Sequence, residues 1–173
     1  MTKQIIITDL DRTAVDSPDQ KHPSERLVSA IQKLDDKYYV CAATGRSRSF
    51  ALPLMQEMKL HHPCIVAGGT SIVDPTTGKL LWQQAIEAKS LTPILEIMKD
   101  SGFKILFDDY TEEDYLCGGW SFERIANIKE AYFLELVFVP EKDAHSLAKK
   151  FHKIPNITAT VVTAQRPGKC DIH

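Results

Sequence analysis

Asp9 and Asp11 lie two residues apart in Ile5-Ile-Ile-Thr-Asp-Leu-Asp-Arg-Thr-Ala-Val-Asp16, directly after an apolar run, and Thr13 follows two positions later. Two carboxylates held this close repel each other, and a cation between them relieves the repulsion. Mg2+ suits such a pair, because it is a hard ion content with one or two carboxylates, water and a phosphate. A second apolar run ends in Thr44-Gly45-Arg46. Thr44 offers a hydroxyl, and backbone N–H groups around Asp11 and Gly45 can receive phosphate oxygens. A carboxylate beside that phosphate can attack phosphorus and form an aspartyl-phosphate, while a second carboxyl protonates the leaving oxygen and then activates water. In this chemistry Asp9 is the nucleophile and Asp11 the general acid/base. A D-x-D pair by itself is common in loops. What singles this one out is its place after the first apolar run, with Thr13 behind it and T-G-R after the next run.

Such residues work together only if the chain brings them to one edge. Lys3–Thr8 is short and rich in β-branched residues, which predicts a buried strand. Leu27, Val28, Ile31 and Leu34 recur at helical spacing between Pro23 and Asp36, with Pro23 suited to the first turn and Ser24 to the cap. Tyr38–Ala43 predicts a second strand and Cys64–Ala67 a third. Ser47–Lys59 between them predicts a helix, in which Pro53 is tolerated only near the start. Strand, helix, strand, helix, strand predicts an α/β parallel sheet with helices on both faces. Sites in such sheets lie at the carboxyl ends of the strands. That edge gathers Asp9 and Asp11, Thr44-Gly45-Arg46, and Gly68-Gly69-Thr70.

The texture then changes. Thr70–Val73 and Lys79–Trp82 predict a hairpin around Asp74-Pro-Thr-Thr-Gly78. Ala88–Ser101 predicts a helix ended by Gly102. Strands are expected at Phe103–Asp108, Asp114–Gly118, Ala131–Val139 and Ile157–Ala164, and a helix at Glu141–Lys153. The second half is therefore an α+β layer with antiparallel strands. The expected organisation is residues 1–83 as one domain and 84–164 as another. Gln165–Gly168 would be a linker, and 165–173 as a whole the start of a return to the first domain.

Composition narrows the partners. The 173 residues carry 21 Lys and Arg against 23 Asp and Glu, a net charge of −2, so nothing marks a nucleic-acid or anionic-membrane surface. The 43% apolar content is that of an ordinary globular protein. Ile5–Ile7 is too short for a signal peptide, and no run approaches the ~20 apolar residues of a membrane span. Cys41, Cys64, Cys117 and Cys170 form no C-x-x-C pair and are expected as buried, reduced thiols, which fits a cytoplasmic location. His61, His62, His145 and His152 show no metal-ligand spacing and are expected at the surface.

Asp9-Leu-Asp-Arg-Thr13 resembles the D-x-D-x-T signature of the haloacid-dehalogenase-like (HAD) phosphatases. Ala43-Thr-Gly-Arg46 is similar to the second motif of their Cof-type branch, and Ile65–Lys79 resembles that branch's approach to an inserted cap, which sucrose-phosphate phosphatases share. The resemblance implies a Rossmann-like HAD core with an α+β cap domain. It also implies a Mg2+-dependent phosphatase acting on a small phosphorylated metabolite, a phosphosugar above all. It makes Asp9 the nucleophile and a Mg2+ ligand, and Asp11 the acid/base and a second ligand through its backbone carbonyl. Thr44 and the Gly45 amide would hold phosphate, with Arg46 near the substrate and cap residues of Asp108–Trp120 setting specificity.

The match departs from the family at Arg12 and Gly68, where Gly and Asn are usual. It also lacks the lysine and the further acid motif that follow the cap, since Lys169 resembles part of the strand before that lysine. The chain is accordingly expected to be an incomplete form whose bare core surface a homodimer could cover. A HAD-derived module that binds phosphoesters or a partner without turnover is the alternative. A phospho-acceptor receiver domain fits less well, because Gly68-Gly69 stand where its acceptor aspartate belongs.

Overall fold

The computed structural model describes residues 3–17, 20, 22–108, 131–164 and 166–173. The chain divides into two compact units, Met1–Gln84 and Ala85–His173.

In the first unit β1 (Gln4–Thr8) lies parallel to β2 (Tyr38–Ala42), with Ile5 opposite Tyr39 and Ile7 opposite Cys41. The crossover is α1 (Glu25–Leu34), whose first turn is closed by the Leu27 N–H donating to the Ser24 hydroxyl at 3.2 Å. After α2 (Arg48–Glu57) the chain enters β3 (Cys64–Val66), joined to the end of β2 by a parallel bridge between Ala43 and Ile65. Strand β3 continues antiparallel into β4 (Ser71–Val73) and β5 (Leu80–Gln83). Asp74 closes the turn between the last two, accepting the Thr76 N–H and the Thr77 hydroxyl, each at 2.8 Å. The unit is α/β with parallel strand pairing, as the spacing of apolar runs predicts.

Three expectations are corrected here. Strand β1 is not buried: Ile5 and Ile7 are 63% and 58% exposed. Strand periodicity turns both to one face, and no described element covers it. Pro53 is the sixth of ten residues in α2 rather than near its start. The lost backbone bond is tolerated because Ala51, Leu54 and Met55 are almost wholly buried and anchor the helix. His62 is half-buried, with its ring edge-on to Tyr39 and Nε2 3.3 Å from an Asp35 carboxylate oxygen. Cys41, Cys64 and Cys170 are buried free thiols, as expected.

The second unit opens with α3 (Ala88–Ser101), ended by Gly102 in the left-handed conformation at φ 68°. It continues through β6 (Lys104–Asp108), β7 (Phe133–Pro140), α4 (Glu141–Phe151), β8 (Val161–Thr163) and β9 (Lys169–Ile172). The sheet is antiparallel in the order β6-β7-β9-β8. Its core joins Leu91, Ile94 and Met98 of α3 and Leu147 and Phe151 of α4 to Leu136 and Ile172 of the sheet. Residues 165–173 therefore do not begin a return to the first unit, because Lys169–Ile172 is an inner strand of the second. The physical cause is alternation: Cys170 and Ile172 are buried in this core while Asp171 between them is not. The expected strand Asp114–Gly118 and turn Gly118-Gly119-Trp120 lie outside the described residues. Among those described, no helix is long and apolar enough to cross a membrane.

Candidate active site

The first site residues are positioned by a tight turn after β1. Leu10 is fully buried, and its carbonyl accepts the N–H groups of Thr13 (3.3 Å), Ala14 (2.9 Å) and Val15 (2.9 Å). Arg12 passes through the turn at φ 60°, a conformation that costs a non-glycine residue about 1–2 kcal/mol. The turn folds Thr13 back so that its hydroxyl donates to Asp9 Oδ2 at 3.2 Å. Asp9 is exposed, and its second carboxylate oxygen meets no donor among the described residues.

Asp11 is held differently. Arg46 Nε donates to both of its carboxylate oxygens, at 3.1 and 3.2 Å, and Nη2 donates to Oδ1 at 2.6 Å. The two side chains are 12% (Arg46) and 27% (Asp11) exposed. A planar guanidinium gripping a carboxylate at several points fixes its orientation as well as its charge.

The carboxyl ends of the strands are laced together beneath these groups. The Ala43 N–H donates to the Thr8 carbonyl at 2.9 Å, and the Thr44 N–H to the Ile65 carbonyl at 3.1 Å. Thr44 is buried, and its hydroxyl accepts the Arg46 N–H at 3.1 Å. The Arg46 carbonyl in turn accepts the Ala67 N–H at 2.7 Å. Past β3 the chain turns with Ala67, Gly68 and Gly69 all at positive φ, and the Gly68 N–H returns to the Thr44 carbonyl at 3.2 Å. Gly45 is exposed. Its amide meets no acceptor among the described residues, which leaves it open to an anion.

Asp11 and Arg46, 35 positions apart, thus meet directly, and Thr44 secures the Arg46 backbone. The guanidinium sits on Asp11, where the resemblance had implied only nearness to substrate. Sequence reasoning did not find the ion pair, which spacing cannot reveal, nor the part played by the Leu10 carbonyl. Thr13 was visible as a motif position, but its bond to Asp9 was not.

Among the described residues no group of three or more His, Cys, Asp and Glu side chains could hold a metal. The oxygens that the family resemblance implies for a cation are the Asp9 carboxylate and the Asp11 backbone carbonyl. Both are hard oxygens, and such a pair suits Mg2+, which completes its shell with water and phosphate, better than Zn2+, which prefers nitrogen and sulfur.

The model of one family, the haloacid dehalogenase-like hydrolases, matches residues 6–169. No curated protein matches the chain. A haloacid dehalogenase-like hydrolase from Bacteroides thetaiotaomicron is similar in structure at 13% identity and TM-score 0.71, covering 99% of this chain and 71% of that one. A HAD subclass IIB sugar phosphatase gives 18% identity and TM-score 0.70, over 99% and 69%. A haloacid dehalogenase-like hydrolase from B. subtilis gives 16% and 0.72, over 98% and 72%. Likeness at this identity is likeness of fold.

Proposed function

This chain belongs to the haloacid dehalogenase-like hydrolase family, and from that membership we propose that it hydrolyses the phosphate monoester of a small metabolite, a phosphosugar, through an aspartyl-phosphate on Asp9. The observation that carries the reading is the division of labour between the two carboxylates: Asp9 exposed and lightly held, Asp11 locked in place by Arg46. A nucleophile must be reachable, and an acid/base must be aimed. The sugar-phosphate part of the proposal draws on the sugar phosphatase that shares the fold.

The phosphate would rest on the Gly45 amide and the Thr44 hydroxyl, which can still donate while accepting from Arg46. The Thr13 hydroxyl holds one Asp9 oxygen and leaves the other to attack phosphorus. As the Asp9–phosphorus bond forms, the bond to the leaving oxygen breaks and Asp11, in the protonated form that has let go of Arg46, supplies that oxygen with a proton. Asp11 then takes a proton from water, which attacks the same phosphorus and releases inorganic phosphate and free Asp9. Mg2+ held by Asp9 and the Asp11 carbonyl would supply neutralising charge to the phosphate oxygens.

Phosphate release from an aryl phosphate and a panel of phosphosugars, with and without Mg2+, tests the reading. Uncatalysed monoester hydrolysis is so slow that weak turnover stands clear of background. Mg2+-dependent release that disappears in Asp9→Asn is the expected result. Equal release from that variant overturns the role of Asp9, and no release from either chain leaves the non-catalytic binding module as the better reading.

A further inference from the structure

The loop that carries Thr44, Gly45 and Arg46 is fastened on both sides of Gly45 by the turn that follows β3. The Gly68 N–H donates to the Thr44 carbonyl at 3.2 Å, and the Ala67 N–H donates to the Arg46 carbonyl at 2.7 Å. The chain reaches both acceptors by running left-handed, with φ 52° at Ala67, 62° at Gly68 and 101° at Gly69. Glycine adopts such angles freely, whereas the Cβ of Ala67 opposes them. Backbone held against its own preference persists only where its surroundings over-determine it. The brace at Ala67 is Thr70. Its hydroxyl donates to the Ala67 carbonyl at 2.9 Å, and its N–H donates to the same oxygen at 3.2 Å. Thr70 is anchored in turn by its own carbonyl, which accepts the Gln84 N–H at 2.9 Å just past β5.

We propose that Thr70 is a positioning residue for the reaction on Asp9: its hydroxyl holds the strained turn at Ala67, and through that turn it keeps Arg46 aimed at Asp11. The line of contacts is short. The Thr70 hydroxyl meets the Ala67 carbonyl, the Ala67 N–H meets the Arg46 carbonyl, and the Arg46 guanidinium grips both carboxylate oxygens of Asp11. Without the hydroxyl, Ala67 relaxes out of the left-handed region, its N–H leaves the Arg46 carbonyl, and the guanidinium loses its fixed base. A glycine at position 67 has no such tendency, so the need for the Thr70 hydroxyl should vanish together with the Ala67 Cβ. This role deepens the phosphatase reading and rests on it where turnover is concerned, whereas the state of Arg46 can be observed with no reaction at all.

The test compares the full chain with Thr70→Val, which keeps the shape and removes the hydroxyl, with Thr70→Ser, which keeps the hydroxyl, and with Thr70→Val combined with Ala67→Gly. Thr70→Ala, which removes the hydroxyl without branching at Cβ, should behave as Thr70→Val. The first readout is the proton NMR signal of the Arg46 Nε–H, identified by its loss in Arg46→Lys. Held against a carboxylate, this proton exchanges slowly with water. It should exchange slowly in the unsubstituted chain and in Thr70→Ser, about fivefold faster in Thr70→Val, as the loss of one neutral hydrogen bond allows, and slowly again once Ala67→Gly is added. The second readout is Mg2+-dependent phosphate release. Thr70→Val should lower kcat by more than it raises KM, because the aim of Asp11 is lost rather than the substrate's hold, and Thr70→Ser should restore kcat. An Arg46 signal that is absent from the unsubstituted chain, unchanged in Thr70→Val, or not recovered with Ala67→Gly overturns the proposal, as does unchanged turnover in Thr70→Val of an active chain. If the Arg46 signal behaves as expected and no chain releases phosphate, the brace on Arg46 is upheld and the phosphatase reading fails.

Discussion

Removing the Arg46 guanidinium should weaken the first unit by an amount that depends on Asp11. The pair makes three N–H···O contacts, and its side chains are 12% and 27% exposed. Exposed ion pairs are worth roughly 0.2–1 kcal/mol, whereas removing one partner of a fully buried pair costs about 3–5 kcal/mol. Hydrogen bonds to charged groups fall between, at about 1.5–3 kcal/mol. The partial burial here selects that middle range, so a coupling energy of about 2 kcal/mol is expected, equivalent to roughly 30-fold in the folding equilibrium. The assay is a double-mutant cycle of urea unfolding with the unsubstituted chain, Arg46→Gln, Asp11→Asn and the double variant. Each single variant should lose stability, and the double should lose clearly less than their sum. The coupling should also largely survive added salt, which screens exposed pairs far more than partly buried ones. A coupling below about 0.5 kcal/mol, within the additivity expected of independent sites, would refute the view that Arg46 fixes Asp11.

Three further outcomes follow from the packing. Leu136 is fully buried at the centre of the second unit's core, so Leu136→Ala should cost about 3 kcal/mol in chemical denaturation. Partial burial and the nearby Glu135 raise the Asp171 pKa above 3.8, against the lowering effects of the Phe138 N–H and His173. A raised pKa means that the folded state holds this proton more tightly than the unfolded one. The stability it contributes is therefore complete below pH 3.8 and lost as pH climbs through the folded value. Asp171→Asn, which keeps an oxygen for the Phe138 N–H (2.8 Å in the present structure), should gain stability relative to the unsubstituted chain at pH 7 but not at pH near 3, as read by thermal melts at the two pH values. Burial also pushes the Cys64 thiol up to about 11, which leaves about one part in a thousand as thiolate at pH 8. Iodoacetamide at that pH should spare Cys64 in the folded chain and label it in urea, as read by peptide mass.

Much of the framework was legible from local signals. Apolar spacing and the Ser24 cap located α1, Gly102 marked the end of α3, and the Pro-Thr-Thr-Gly turn marked the β4–β5 hairpin. The D-x-D pair and the T-G-R stretch stood out because each follows an apolar run. The misreadings have a common cause in contacts that sequence spacing does not record. The three isoleucines of β1 look like a buried strand, yet burial depends on what covers a face, and two of the three point to the open one. Gly168–His173 looked like a departing strand, but its alternation of Cys170, Asp171 and Ile172 suits an inner place in the antiparallel sheet equally well. The grip of Arg46 on Asp11 joins residues 35 positions apart and has no periodic signature.

The most direct test of the central proposal is to trap the intermediate. The chain is mixed with Mg2+ and a phosphomonoester that it turns over, then reduced with borohydride, which converts an aspartyl-phosphate to homoserine. Peptide mass analysis should find homoserine at position 9, dependent on substrate and absent at Asp11. Phosphate release without reduction at position 9, or with reduction at another residue, would contradict the assignment of Asp9 as nucleophile.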